Sequence, residues 1–490
     1  MANPVSRRVG WLMGVLLAGC SSAQYIETEV IGKPRAVLGK FNTPFSNTFE
    51  CSEVESLDNY SVFVTRDSRF FDVGCGRASE IRRNTDLANT EELAENVAKL
   101  RDRTKNIFDT INDRKCEEDD CVKKIVFFIH GGLATINTNI PRTAMLRAQM
   151  VKSGYNPVFI NWRSGFLSSY WDHLWRLRQG VTSKWAKTTS LPYFASDLLK
   201  TVANVPWSWI TEAYHAWNSV GKDYDYVEDE KYRPANVSLV SNDNKKNRRR
   251  MVRWWITSPA KVFTAPIVHT LGKPPWDVMR RRALTMSLNP HEDPESRPNE
   301  INIDSLGVIG KFFELFGQHI AASEEQGNRF ELVLVGHSMG VITVNQLLSM
   351  KSELVFDKIV QMASADTVQA TLGSVVPYLQ QHQDAEYYGL HLHPNNEDRE
   401  VKWGGVVPSG SLLVWIDNMY TTPATILERT AGRWDNMSKA LALFPEERVH
   451  HKIFGRTNAN AKSCDKGAIC VPQKHSEFTE AAFWLPEFFE

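Results

Sequence analysis

The sequence lacks an excess of charge of either sign. Its 490 residues include 57 Lys and Arg against 57 Asp and Glu, so the formal net charge is zero. A protein that binds nucleic acid through the phosphates needs a basic surface, because neutralising phosphates releases their counterions. The composition therefore gives no global indication of a nucleic-acid partner. The hydrophobic share of 42% is ordinary for a globular chain with a buried core.

The sequence also lacks the short motifs that bind nucleotides or metals. It contains neither a P-loop nor a dinucleotide fingerprint. His391 and His393 alternate along one predicted strand and so share a face, but no third ligand follows at a suitable spacing. We therefore expect no metal and no other cofactor.

Long apolar runs are missing outside the N-terminal region. Two arginines precede an apolar run from Val9 to Ala18, which is too short to span a bilayer as a helix. The run leads to Cys20 and resembles a bacterial lipoprotein signal, with residues 1–19 as the signal peptide; the alternatives are an ordinary signal peptide or a start site placed too early. The resemblance implies lipidation of Cys20 as the only membrane anchor. Because Ser21 stands where inner-membrane retention requires aspartate, it also implies an outer-membrane location facing the periplasm.

Cysteine is scarce, with seven in the chain. An even set remains when Cys20 is set aside, and in an exported protein such a set suggests disulfides rather than free buried thiols. Many pairings are possible. The pairing most local in sequence joins Cys51 to Cys75, Cys116 to Cys121, and Cys464 to Cys470.

A succession of apolar runs predicts a sheet. The run at 124–129 is nearly continuous, as expected of a parallel strand buried on both faces. Helical spacing of apolar residues marks 90–114, 140–151 and the segment after 340. Strands that alternate with helices predict the α/β class, with a mostly parallel central sheet flanked by helices. The other predicted strands are 157–162, 330–335, 358–362, 387–392 and 449–454.

Residues 165–298 differ from their surroundings, since they carry most of the 15 tryptophans. We interpret them as a mainly helical cap insertion over the carboxyl edge of the sheet. The core would then comprise 123–164 and 299–490, preceded by an N-terminal extension at 20–122 with short strands and a helix. Within the insertion, arginines beside tryptophans at Arg248 to Trp255 suit a membrane interface or anionic lipid headgroups. The alternative is a solvated basic face, balanced by an acidic run further upstream.

The segment Gly336-His337-Ser338-Met339-Gly340 fits the pattern G-x-S-x-G. Apolar residues precede it and a helical pattern follows, which is the strand–turn–helix setting that the motif requires. The sharp turn places the serine in a strained backbone conformation, and the small flanking residues prevent clashes between strand and helix. The turn also aims amides of the helix N-terminus at a developing oxyanion. We predict that Ser338 is a nucleophile.

With this motif the chain resembles the α/β-hydrolase superfamily, and especially a group of largely uncharacterised bacterial hydrolases. The resemblance covers the chain from about residue 123 onward, without the insertion, and implies the α/β-hydrolase fold. It also implies an oxyanion hole shared between the amide of Met339 and that of Gly132 or Leu133, in the loop after an earlier strand. His130, at the start of that loop, is expected to pack or orient rather than carry a proton.

The superfamily order of serine, acid and histidine places the histidine after the last strand. His475 stands there and would act as base and then as acid. The acid follows the penultimate strand in most members, which favours Glu397, with Asp398 beside it. A minority place it one strand earlier, where Asp366 stands; Asp366 could instead begin a capping box for the next helix.

These residues predict hydrolysis of a carboxylic ester, which could be a lipid ester. Two alternatives stay open. One is acyl transfer, in which the same acyl-enzyme passes to an alcohol other than water. The other is a degenerate hydrolase that serves as a scaffold or binding lipoprotein of the bacterial cell envelope.

Overall fold

The computed structural model describes 15 segments of the chain, and the fold is built from these: 57–65, 69–71, 90–114, 122–133, 136–178, 181–182, 184–211, 213, 234–240, 248–287, 307–350, 354–400, 406–454, 472 and 474–479. The predicted signal peptide, Cys20 and the six cysteines of the predicted disulfides lie outside them. Among the described helices, none combines the length and the apolar character needed to cross a bilayer.

One large sheet organises the molecule, and its strands run parallel except for a short antiparallel strand at one edge. The strand order is β2-β1-β4-β3-β8-β9-β10-β11-β7, and β5 pairs only with β6. The strands are β1 (Ser61–Val64), β2 (Phe70–Phe71), β3 (Val122–Ile129), β4 (Asn156–Trp162), β5 (Leu177–Arg178), β6 (Val181–Thr182), β7 (Val237–Val240), β8 (Arg329–His337), β9 (Lys358–Met362), β10 (Glu386–Leu392) and β11 (Val449–Phe454).

Helices flank this sheet, so the protein is of the α/β class, as the alternating pattern predicts. They are α1 (Thr90–Asn112), α2 (Ile136–Lys152), α3 (Phe166–Trp175), α4 (Ser190–Ala203), α5 (Arg248–Ser287), α6 (Val308–Glu324), α7 (Gly340–Leu348), α8 (Val368–Gln381), α9 (Pro394–Arg399), α10 (Leu412–Trp415) and α11 (Trp434–Met437).

The central strands lie where their apolar runs require. In both β3 and β8 the first residues are at least partly exposed and the rest are buried, because the strands enter the core from one edge and end beneath covering helices. Phe127 of β3 meets an aromatic cluster from α6 and the segment before β9. The predicted strands at 358–362 and 449–454 have the bounds observed for β9 and β11.

The segment predicted to be a cap is partly built into the core. Strand β7 pairs in parallel with β11 and so forms one edge of the main sheet. The C-terminal half of α5 packs on α7, where Thr343 Oγ1 donates a hydrogen bond to the Ala283 carbonyl at 3.1 Å. The pattern of the sequence conceals both elements, since β7 has only four residues and four prolines interrupt α5. The N-terminal extension likewise contributes β1 and β2 to the sheet.

Two histidines form a buried pair between β10 and β11. His391 Nδ1 lies 3.1 Å from the Gly432 carbonyl, and its Nε2 lies 3.0 Å from Nδ1 of His451. A Cβ at Gly389 would come within 2.5 Å of the His451 ring, so glycine leaves the space for the pair. Burial lowers the pKa of His391 to about 4 and holds that of His451 well below its usual value. Both rings are therefore neutral at pH 7.

The His451 ring makes folding stability depend on pH. Its pKa is ordinary in the unfolded chain and depressed in the folded one, so below about pH 6.5 the unfolded state binds a proton that the folded state does not. As the pH is lowered below about 6.5, this ring therefore lowers the free energy of unfolding by up to about 1.4 kcal/mol per pH unit. We expect His451→Asn, which keeps a donor at the Nδ1 position, to lose that part of the slope in urea unfolding between pH 7.5 and 5.

The matched control is His450→Asn on the same strand, because its partly exposed ring stacks on Tyr388 on the other face. This variant should keep the larger part of the His451 contribution to the slope, because burial is the main cause of the lowered His451 pKa and the charge of His450 is a smaller one. Equal slopes for wild type and His451→Asn would contradict the assignment of a proton-linked penalty to the buried ring.

Candidate active site

Ser338 occupies a sharp turn between β8 and α7, as the sequence motif predicts. Its φ is +52°, a left-handed value that costs energy for a residue with a side chain. The turn is held by the Ser338 amide, which donates to the Met362 carbonyl of β9 at 2.9 Å. A Cβ at Gly340 would come within 2.2 Å of the Ile129 carbonyl, and one at Gly336 within 2.7 Å of a Val344 methyl. The two glycines of the motif therefore permit the close approach of strand and helix.

His475 meets this serine from the far end of the chain. Its Nε2 lies 2.8 Å from the Ser338 Oγ, within hydrogen-bonding distance. His475 begins a short helical turn that ends at Thr479, and Phe478 of that turn is buried against Phe454 at the end of β11. Packing of the turn on the last strand thus places the imidazole over the nucleophile.

His337, the residue before the nucleophile, bonds to the backbone of the segment that carries His475. Its Nε2 lies 3.1 Å from the His475 carbonyl oxygen, so the neutral ring donates its Nε2 hydrogen there. Burial lowers the pKa of His337 to about 4, which keeps the ring neutral. The residue before the nucleophile therefore ties the turn to the segment that carries the imidazole. The sequence motif gives no signal for this role.

The loop after β3 lies directly against the nucleophile. A Cβ at Gly131 would come within 2.8 Å of the Ser338 Cβ, and one at Gly132 within 2.5 Å of the Met339 sulfur. His130 fixes this loop, because its Nδ1 lies 2.6 Å from the Gly131 carbonyl. Its Nε2 accepts hydrogen bonds from the side-chain amide of Asn139 at 2.7 Å and from the backbone N–H of Trp162 at 3.0 Å. His130 orients the loop, and burial lowers its pKa to about 3.

The three residues predicted to supply oxyanion amides lie together at this loop and turn. The amide of Leu133 donates to the Ser164 carbonyl at 2.8 Å, and Leu133 has φ +68° with its side chain exposed. In the described part of the chain, neither the Gly132 amide nor the Met339 amide donates a turn or loop hydrogen bond to a backbone carbonyl. Gly132 is therefore better suited than Leu133 to pair with Met339.

Glu397 lies in α9 after β10, where the sequence places the acid. Its Oε2 accepts a short hydrogen bond from the Ser411 hydroxyl. The side chain is fully buried, and this burial raises the pKa of Glu397 to about 8. At pH 7 the carboxyl group is thus mostly protonated, whereas an acid that stabilises an imidazolium must be ionised.

The other two predicted carboxyl groups bind elsewhere. Asp366 accepts from the Asn345 side-chain amide at 2.8 Å, and burial raises its pKa. Asp366 does not cap α8, because the N-cap is Thr367, whose hydroxyl accepts from the Ala370 amide. Asp398 forms a buried ion pair with Arg433 at 3.0 Å.

A fourth carboxylate, Glu400, contacts His475 directly. Its Oε2 accepts the backbone N–H of His475 at 3.1 Å. The sequence analysis missed this residue, because Glu397 and Asp398 are the first acids after the strand. Glu400 follows α9, so its distance along the chain from β10 hides its contact with the backbone of His475. The available signal was its position in the loop expected to hold the acid.

Comparisons with known proteins identify no relative: no family model, no curated protein and no solved structure matches the chain. Within the described residues, no cluster of three or more His, Cys, Asp or Glu side chains is placed to hold a metal ion.

Proposed function

We propose that the protein is a serine hydrolase of the α/β-hydrolase type that cleaves carboxylic esters. The proposal rests chiefly on the 2.8 Å contact between the Ser338 hydroxyl and His475 Nε2, at a serine with φ +52°. A nucleophile on a strained turn, paired with a base and facing backbone amides, is the combination that acyl transfer to serine requires. The central place of β8 in the parallel sheet supports the same assignment.

In the first step Ser338 Oγ attacks the ester carbonyl carbon and gives its proton to His475 Nε2. The carbonyl electron pair moves to the oxygen, and the resulting oxyanion accepts hydrogen bonds from the Met339 and Gly132 amides. Collapse restores the carbonyl and breaks the bond to the alcohol, which leaves with the proton from His475. Water then repeats the cycle on the acyl-enzyme, which releases the carboxylic acid and restores the Ser338 hydroxyl.

The site is closed around these groups. Ser338 keeps 1% of its accessible surface and His475 keeps 6%. Low solvent access strengthens the hydrogen bonds to a developing oxyanion. It also means that an ester reaches Ser338 only when covering residues move. We propose an apolar acyl group for the substrate, because a site with so little solvent access favours it.

A direct test is to treat the purified chain with a fluorophosphonate probe and with p-nitrophenyl esters of graded acyl length. We expect covalent labelling of one serine and hydrolysis that depends on acyl length. A folded protein that neither labels nor hydrolyses any ester would refute the proposed function and leave a scaffold role.

For the acid we propose Glu400 in place of Glu397. The Glu400 carboxylate accepts the backbone N–H of His475 and is half-buried, whereas the buried carboxyl of Glu397 is mostly neutral at pH 7. Glu400 would hold the segment around His475 and favour the imidazolium by its negative charge.

Two Glu→Gln variants separate these candidates. Glu400→Gln keeps an oxygen for the His475 amide but removes the charge, so we expect kcat to fall at least about 10²-fold. The acid limb of the kcat/KM profile should also move to lower pH, because the imidazole loses a neighbouring anion. Glu397→Gln replaces a neutral carboxyl by a neutral amide, so its kcat should stay within about threefold at pH 7.

If Glu397→Gln lost kcat and Glu400→Gln kept it, the catalytic acid would be Glu397. Asp366→Asn provides a third arm, since that carboxyl bonds to Asn345 behind the turn. A loss of kcat confined to Asp366→Asn would assign the acid to the earlier strand.

A further inference from the structure

The helix α4 is unusual for a surface helix, because it buries polar residues and exposes apolar ones. Ser190 and Asp197 are buried, as is Ser208 in the helical residues 205–211 that follow. Asp197 accepts a hydrogen bond from the Tyr170 hydroxyl at 3.2 Å and lies 3.3 Å from His173 Nε2. The interior side of the helix therefore carries polar side chains that contact neighbouring residues.

The outer side of the same helix is apolar. Backbone bonds from Asn204 to Lys200 and from Ser208 to Asn204 carry the helical pattern across the junction. Exposed residues recur at helical spacing over its whole length, and we call them the apolar stripe: Leu191, Ala195, Leu199, Val202, Pro206 and Ile210. Leu199 is 71% exposed and Val202 is 70% exposed. Exposure of such an apolar stripe to water is unfavourable, so the stripe marks an interaction surface.

The stripe continues onto the neighbouring helix. Trp209 Nε1 donates a hydrogen bond to the Val262 carbonyl of α5 at 2.7 Å, which joins the two helices. Next to that contact, Phe263 is 75% exposed and Trp207 is 58% exposed. The apolar surface therefore spans two helices and ends in aromatic residues of the kind enriched at bilayer interfaces.

The charges around the stripe favour a lipid occupant over a protein. Between residues 184 and 211 the sequence has one acidic residue, the buried Asp197, whereas Lys187 and Lys200 are exposed. Apolar residues with tryptophan and an unbalanced positive charge suit the headgroup region of an anionic bilayer.

A bilayer would also lie within reach. If Cys20 carries the predicted lipid, 36 residues separate it from Leu57, the first described residue. The lipid would hold the protein at the membrane surface, so docking becomes an intramolecular event. We infer that the apolar stripe docks the protein flat on an anionic phospholipid bilayer. No catalytic step is involved in this docking.

The test uses the full chain with Cys20→Ala, so that no lipid anchor contributes. Vesicles of phosphatidylcholine and phosphatidylglycerol are sedimented with this parent and with the added set Leu199→Gln, Val202→Gln and Ile210→Gln. Glutamine keeps helix propensity and removes apolar surface. We expect the partition coefficient to fall at least about tenfold in the Gln variant, because three side chains lose their burial in lipid.

The matched control replaces exposed apolar residues elsewhere, with Leu443→Gln and Val355→Gln on the same parent. Parent and control should sediment alike. Equal partition of parent and stripe variant would overturn the proposal. So would a parent that is a dimer in light scattering while the stripe variant is a monomer, because the stripe would then cover a second copy. The Ser338→Ala form should bind vesicles like the parent, which keeps this result separate from that of the proposed function.

Discussion

Replacement of Ser338 by Ala is expected to abolish fluorophosphonate labelling and to lower kcat for esters by about 10⁴-fold or more. The loss follows because the Ser338 Oγ, 2.8 Å from His475 Nε2, is the oxygen proposed to attack the ester. Oxyanion amides and substrate binding would leave a small residual rate. Mass spectrometry of the labelled wild-type protein should locate the adduct on Ser338.

A buried serine outside the site provides the control. Ser374 of α8 bonds to Asn345 at 2.9 Å and is buried to a similar degree. Ser374→Ala should lose some stability but keep its labelling. If Ser338→Ala still labelled at another serine and kept its esterase rate, the nucleophile would be wrong.

Replacement of His475 by Ala is expected to lower kcat by about 10⁴-fold, with a smaller change in KM, because the imidazole moves protons in the transition state and binds little of the substrate. Labelling of Ser338 should slow to a similar extent, since the serine loses its base. The double variant Ser338→Ala/His475→Ala should be no slower than either single variant, because residues that act as a unit are not additive.

Imidazole added to His475→Ala separates loss of the base from loss of structure. Partial recovery of the rate, dependent on imidazole concentration, is expected if the site is intact. An unchanged rate in folded His475→Ala would remove the histidine from the mechanism, and another base would have to be sought.

The proposed site was partly readable in the sequence. Ser338 could be placed because its motif is local: an apolar strand, two glycines and a helix lie within a few residues, and short-range sterics dictate the turn. The resemblance to the α/β-hydrolase superfamily, with its order of serine, acid and histidine, also predicted the position of His475. The role of His337 could not be predicted, because it depends on a carbonyl 138 residues away.

The identity of the catalytic acid shows most clearly what the sequence could not predict. The position after the penultimate strand favoured Glu397, with Asp398 beside it, and did not point to Glu400, which follows α9. Burial then separates them: the pKa of Glu397 rises to about 8, Asp398 pairs with Arg433, and Glu400 reaches the His475 amide. Desolvation and ion pairing are properties of packed surroundings, so they are not written in residue spacing.

The sequence by itself determined the α/β class, the approximate positions of the central strands and the turn at Ser338, because apolar periodicity and glycine sterics act over a few residues. Only the tertiary structure decided which residues meet: β7 at the sheet edge, His475 over the serine, and the outward-facing leucines of α4. These contacts join segments far apart in the chain, and their free energies depend on burial that exists only after folding.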